Sequence, residues 1–288
     1  MSKYFFFLPV LFYFSCQNND PQGTVDAPLF QLIAPAHSGI DFNNFIIENQ
    51  TVNYFTFMQI YSGAGVAVGD INNDGLQDIY FTANFGQNKL YLNKGNLQFE
   101  DITESSGAGL NEGYRTGVNM ADINGDGWLD IYVCRSGWYK EEFIKRNKLF
   151  INNGDMTFTE SASDYGLDDP RNSVQSSFFD YDKDGDLDMF LVNTTTDFSF
   201  TRLIKPTEVF HSDEGYKALN SNDILYRNNG DGTFTDVSEA AGILPDIGFG
   251  WSVLTVDFND DGWTDIYIAN DFITPDYLYI NQGDGTFR

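Results

Sequence analysis

Apolar residues in this chain fall in short runs separated by polar, glycine-rich turns. Residues 65–69 (GVAVG), 78–81 (DIYF), 89–93 (KLYLN) and 130–133 (DIYV) are examples. These runs are β-branched and aromatic and of strand length, without a helical period. Their order recurs. One strand leads into an acidic loop, and a second strand leaves it. A third strand then ends in an Asn and a turn rich in Asn, Gly and Asp, as in residues 224–228 and 229–232. Such turns favour positive φ and mark hairpins. A further strand opens at Phe99, Phe158, Phe234 and Phe287, and the first three of these run on to Gly107, Gly166 and Gly242. Self-similarity at this period predicts stacked or radial repeats, and four antiparallel strands per unit make the blade of a β-propeller. The expected fold is all-β, with about four blades near residues 30–98, 99–157, 158–233 and 234–288. A solenoid is the remaining architecture.

The acidic loops carry the candidate chemistry. They are residues 70–78 (DINNDGLQD), 122–130 (DINGDGWLD), 180–188 (DYDKDGDLD) and 257–265 (DFNDDGWTD). Oxygen side chains stand at loop positions 1, 3, 5 and 9. They are Asp70, Asn72, Asp74 and Asp78, then Asp122, Asn124, Asp126 and Asp130, then Asp180, Asp182, Asp184 and Asp188, then Asp257, Asn259, Asp261 and Asp265. Carboxylate and amide oxygens converging in a tight turn suit a hard cation, calcium before magnesium. Glycine at position 6 allows the sharp reversal. An EF-hand shares the first half of this pattern but needs Glu at position 12 and flanking helices. Position 12 is Phe81, Val133, Leu191 and Ile268, each within a strand-like run. About four Ca²⁺ ions are expected, each in a loop joining two antiparallel strands.

The loops and their flanks resemble the FG-GAP/VCBS repeats of integrin-α-like propellers. Segments such as GVAVGDINNDGLQDIYFTAN, NKLYLNKG, FTDVSEAAGI and FNDDGWTDIYIANDF are similar to the ASPIC/UnbV group, which includes cartilage acidic protein relatives. The resemblance covers roughly residues 28–288 and implies a calcium-stabilised, commonly seven-bladed propeller in a secreted or surface protein. That group's C-terminal ASPIC/UnbV segment does not fall within these residues. Residues 30–33 read as a displaced outer strand. They either close a four-bladed ring against residues 277–281 or belong to one piece of a longer propeller, the reading we favour.

The net charge of −26 disfavours nucleic acid or an anionic membrane face as a partner. Residues 1–15 have a basic Lys3 and an apolar stretch too short to span a bilayer, and Cys16 follows Ser15. They resemble a bacterial lipoprotein signal, with lipidation at Cys16 and a polar tether over residues 16–27. The alternative is an ordinary signal peptide with Cys16 unmodified. The expected location is the outer membrane or cell surface, held by lipid alone, with a periplasmic or secreted protein as the alternative. Cys134, which follows the apolar run of residues 131–133, is expected in the core.

Residues 136–147 and 194–222 interrupt the repeat and hold Lys140, Lys145, Arg146, Arg202, Lys205 and Lys217. Insertions of this kind emerge as surface loops, often on a binding face. Signs of catalysis are thin. His37 and His211 sit in no nucleophile motif, and there is no Walker loop, dinucleotide fingerprint or zinc spacing. The expected function is non-enzymatic, calcium-dependent binding of a surface protein or glycan. The alternative is a part in polysaccharide or peptide processing, with Glu141, Glu142, Asp213 and Glu214 as candidate acids. If Cys16 carries the anchor, Cys16→Ser releases the protein from the membrane fraction. Unchanged fractionation without labelled lipid would exclude it.

Overall fold

The computed structural model describes residues 29–196, 221–245, 248–271 and 274–288. The expected signal, Cys16, the tether and most of the second insertion, including Arg202, Lys205, His211, Asp213, Glu214 and Lys217, lie outside these residues. The chain divides into two compact units, Met1–Ala34 and Pro35–Arg288. In the first unit residues 29–34 are described and form no strand, so the strand expected at residues 30–33 is not made.

The second unit is built of four antiparallel sheets, each a simple meander. The first holds β1 (Val66–Gly69), β2 (Asp78–Phe81), β3 (Lys89–Asn93) and β4 (Phe99–Asp101). The second holds β5 (Tyr114–Ala121), β6 (Asp130–Ser136), β7 (Lys148–Asn152) and β8 (Phe158–Glu160). The third holds β9 (Ser173–Phe179), β10 (Asp188–Asn193), β11 (Ile224–Asn228) and β12 (Phe234–Asp236). The fourth holds β13 (Gly250–Val256), β14 (Asp265–Asn270) and β15 (Tyr277–Tyr279). Its fourth position is started by an Asn281–Phe287 bridge and paired hydrogen bonds between Ile280 and Arg288. These are four blades of a β-propeller. The repeating sequence unit is offset from the sheet by one strand, because β4 pairs with β3 and so closes the first blade instead of opening the second.

Successive blades stack face to face. β6 shows why its apolar run is nearly unbroken. Ile131 and Val133 join the core shared with the first blade, while Tyr132 and Cys134 join the core shared with the third. A strand covered on both faces needs no polar alternation. Cys134 is fully buried, as expected of a core residue. Hydrogen bonds also link neighbouring blades at the end away from the acidic loops. Thr82 Oγ1 donates to Thr116 O at 2.6 Å, and Thr116 Oγ1 to Ser173 O at 2.7 Å. Gly65 makes this approach possible, since a Cβ there would lie 2.8 Å from Thr116 O.

Burial along the inner strands changes at the two ends. Val118 of β5 is 8 % exposed, but its counterpart Val66 in β1 is 57 % exposed. Val68 beside it, and Leu254 and Val256 on β13, are likewise exposed. The first and last blades therefore each present an apolar face that the middle blades cover.

These burials rank the cost of truncation. Ile131→Ala, in the first interblade core, should cost about 2–5 kcal/mol. Val66→Ala, on the open face, should stay within about 0.5 kcal/mol. Denaturant midpoints at constant m-value check both.

Candidate metal centre

The four acidic loops fold alike because the same residues turn the backbone. Position 6 is left-handed at Gly75, Gly127, Gly185 and Gly262, with φ of 86°, 89°, 98° and 87°. Position 4 is left-handed too, at Asn73, Gly125, Lys183 and Asp260. The sequence reading missed this second turn, although Asn, Gly and Asp there signal it. The first-position carboxylate accepts from the position-6 amide, as Asp70 Oδ2 does from Gly75 N at 2.7 Å. The fifth-position carboxylate accepts from the position-7 amide, as Asp126 Oδ1 does from Trp128 N at 2.9 Å.

The ninth-position residues Asp78, Asp130, Asp188 and Asp265 are fully buried and tied differently. One oxygen accepts from the position-2 amide, at 3.0, 3.0, 3.1 and 2.9 Å. The other accepts from the backbone amide of the Asn that ends the third strand. Asn93, Asn152, Asn228 and Asn281 donate at 2.7, 2.8, 2.8 and 2.8 Å. Asn93 Nδ2 stays within its own blade, donating to Gln77 O at 2.8 Å, but the other three asparagines reach the preceding blade. Asn152 Nδ2 donates to Ile71 O at 2.9 Å, and Asn281 Nδ2 to Tyr181 O at 2.8 Å. Asn228 Nδ2 makes a longer bond, 3.4 Å, to Ile123 O. The sequence reading took these asparagines only as strand ends. Their recurrence after every third strand was the available signal.

Among the described residues, one acidic group brings three carboxylates together. Ligand atoms of Asp180, Asp182 and Asp188 lie within 4.8 Å of one another. Asp180 Oδ1 is buried with no hydrogen-bond partner. The other loops carry Asn at position 3, and that side chain donates to the fifth-position carboxylate. Asn72, Asn124 and Asn259 reach Asp74, Asp126 and Asp261 at 3.1, 2.9 and 2.8 Å. Asp182 has no such proton when ionised, so the third loop leaves its oxygens directed at one another.

Burial pushes the Asp188 carboxyl up to about 7 and Asp130 up to about 6. Amides of Asn228 and Tyr181, and of Asn152 and Ile123, pull them back, while neighbouring loop aspartates push them further up. Asp78 and Asp182 are raised, again first by burial. A divalent cation would reverse the like-charge contribution. The donor set, all hard oxygen with one buried orphan, fits Ca²⁺ in the third loop.

Neighbouring loops are linked. Asn73 Nδ2 donates to Gly127 O at 3.0 Å, and Lys183 Nζ lies 4.0 Å from the centre of the Trp263 ring. His37 sits far along the chain from every loop, with Nε2 3.0 Å from Asn96 O. Glu141 and Glu142 are exposed on the first insertion.

The FG-GAP-like repeat family matches at residues 70–133, 141–191 and 218–268. Similarity extends to cartilage acidic protein 1 of Xenopus tropicalis, 29 % identical over 210 residues, covering 72 % of this chain and 29 % of that protein. Cartilage acidic protein 1 of Mus musculus is 24 % identical over 230 residues, covering 78 % and 31 %. The chain thus spans under a third of the length of these relatives. The matched segments take in more than half of the chain and all four acidic loops, and the chain belongs to the FG-GAP-like repeat family.

Proposed function

We propose that this propeller is a calcium-stabilised binding module with one Ca²⁺ in each acidic loop. The observation that carries the reading is the third loop, where Asp180, Asp182 and Asp188 converge around a buried, unpartnered oxygen. Asp180, Asp182, Asp184 and Asp188 would hold the ion there. Their counterparts at positions 1, 3, 5 and 9 would hold it elsewhere, after the third-position Asn gives up its side-chain hydrogen bond to the fifth-position carboxylate. The ion supplies positive charge to a cluster of repelling carboxylates and so braces the hairpin. Cartilage acidic protein 1 carries an acidic, cartilage-associated name, and an exported, surface role for this chain is in keeping with that likeness. Lipid tethering through Cys16 belongs to the same reading and rests on the sequence alone. Among the described residues no helix is long and apolar enough to cross a membrane. The ligand would be a surface protein or glycan, bound without chemical turnover.

Calorimetry tests the metal. Extracellular calcium modules commonly bind at about 10⁻⁴–10⁻³ M, and a site held at 100 times its dissociation constant stabilises by about 2.7 kcal/mol. Chelator should lower the melting temperature. Asp180→Ala and Asp126→Ala should each remove one site from the stoichiometry and leave the others. No heat of binding up to several millimolar calcium would defeat the reading.

The raised Asp188 carboxyl adds a pH signature. Its folded value of about 7 lies above the ~3.9 of an unfolded Asp. The folded state holds that proton more tightly, so this contribution is complete below about pH 4 and lost as pH rises through 7. In chelator, wild type should lose melting temperature relative to Asp188→Asn across that window. Saturating calcium should flatten the difference.

A further inference from the structure

The segment that leads into β1 sorts its apolar residues to two sides. Val52, Phe57 and Ile60 are buried and share a core with Tyr114 of the second blade. Tyr54, Phe55, Met58 and Tyr61, from the same stretch, stay exposed. Clustered apolar groups left in water beside an anchored segment mark a contact surface. The anchoring is polar as well. Gln59 Nε2 donates to Thr194 Oγ1 at 2.9 Å and to Thr195 O at 3.1 Å, and Tyr114 Oη donates to Gln59 O at 3.0 Å. Glu48 accepts from the Tyr54 amide at 3.1 Å and from the Tyr61 hydroxyl.

The exposed side of this segment walls a cavity of about 330 Å³, closed on its other side by the fourth blade. Tyr54 and Tyr61 line it from the segment and Trp251 of β13 from the blade. The two tyrosine rings lie 6.5 Å apart, 30° from parallel. Gln59, Ser62 and Asp271 complete the lining and add an amide, a hydroxyl and a carboxylate. A second cavity of about 280 Å³ adjoins the first and shares Ser62 and Trp251 with it. It takes one residue from the first strand of each blade, Val66, Val118, Gln175 and Trp251. Small-molecule sites commonly measure about 300–1,000 Å³ and mix aromatic walls with a few polar groups. Both cavities lie at the end of the blades away from the acidic loops. Along β13, Trp251 is roughly 20 Å from Asp257 at about 3.3 Å per residue.

The lining selects the chemistry of its ligand. A purely apolar ligand would cover the Asp271 carboxylate without compensation, which is costly. An anion would meet that carboxylate on a chain of net charge −26. A sugar ring meets both demands. Its C–H face is apolar and flat enough to lie on Trp251 or Tyr61. Its hydroxyls donate to a carboxylate, which is acceptor-only, and exchange hydrogen bonds with Ser62. We propose that the two adjoining cavities bind a short neutral oligosaccharide, with sugar units on either side of Trp251. This rests on the binding-module reading and gives it a ligand class and a place.

Titration of the 288-residue protein, in saturating calcium, with cellotetraose, maltotetraose and N-acetylchitotriose tests this, read by calorimetry and by NMR. At least one sugar should bind saturably and shift the Trp251 indole N–H signal. Tyr61→Ala and Trp251→Ala should each weaken that binding by about tenfold or more. Phe55→Ala should leave it unchanged, since that ring is 94 % exposed and lines neither cavity. If Trp251→Ala does not fold, Tyr61→Ala decides, because its side chain is exposed. No binding of any of the three sugars up to several millimolar overturns the proposal, as does binding that leaves the Trp251 signal in place or survives Tyr61→Ala. Saturable binding of tetramethylammonium in place of every sugar assigns the cavity to a cation and overturns it too. The metal reading fails separately. Sugar binding by a chain that takes up no calcium counts against the metal alone, and calcium uptake without sugar binding counts against the sugar site alone.

Discussion

The burial of one carboxylate per blade governs this structure. Asp78, Asp130, Asp188 and Asp265 are withdrawn from water, and each has to be answered by fixed donors. The donors are two backbone amides, one in the loop and one at the end of the third strand. The same aspartates open the second strand and pair with Gly69, Ala121, Phe179 and Val256. Loop closure and strand register are therefore one event. In the second, third and fourth blades the asparagine that answers the carboxylate also donates from its side chain to the preceding blade, so interblade spacing is set by the same network. In a site this dry each bond is strong, and an unmade one is expensive. A cation would bind to a frame that is already hydrogen-bonded, with the third loop the least satisfied without one.

Much of this was legible beforehand, and the reasons differ by residue. Strand identity followed from the β-branched runs, and strand order from the repeat. The burial of Cys134 followed from the apolar run that precedes it. The position-6 glycines announced their turn because few other residues tolerate it. Lys183 did not announce the second turn, since lysine has no preference for positive φ. The distinction among the four loops rested on a single atom type. Asn72 and Asp182 both read as oxygen donors, but the amide of Asn72 has protons to give to Asp74, and Asp182 has none. Residues 30–33 have strand composition, yet a strand also needs an edge to pair with, and composition says nothing about that. That Arg115 of β5 faces Arg135 of β6 depends on ladder register across a bulge between residues 115 and 118, beyond the reach of pattern reading.

The insertion at residues 136–147 is less of a free loop than its sequence suggested. Trp138 stacks on Phe85 and Tyr139, and Arg146 pairs with Asp168 at 2.5 Å. Aromatic packing of this kind orders a segment that has no ladder of its own. Arg146 is committed within the protein by that pair, which narrows what remains for a partner to recognise.

The exposed faces at Val66 and Val68 and at Leu254 and Val256 have a consequence for assembly. Repeat arrays ordinarily finish in capping units whose outer surface is polar. Here the outermost blades have the same apolar composition as the joints between blades. The interblade staple is also directional, because Asn152, Asn228 and Asn281 each reach the blade before their own. Stacking chemistry therefore sets which way successive blades must face but carries no stop signal, and the number of blades in a finished ring has to be decided by something other than these surfaces.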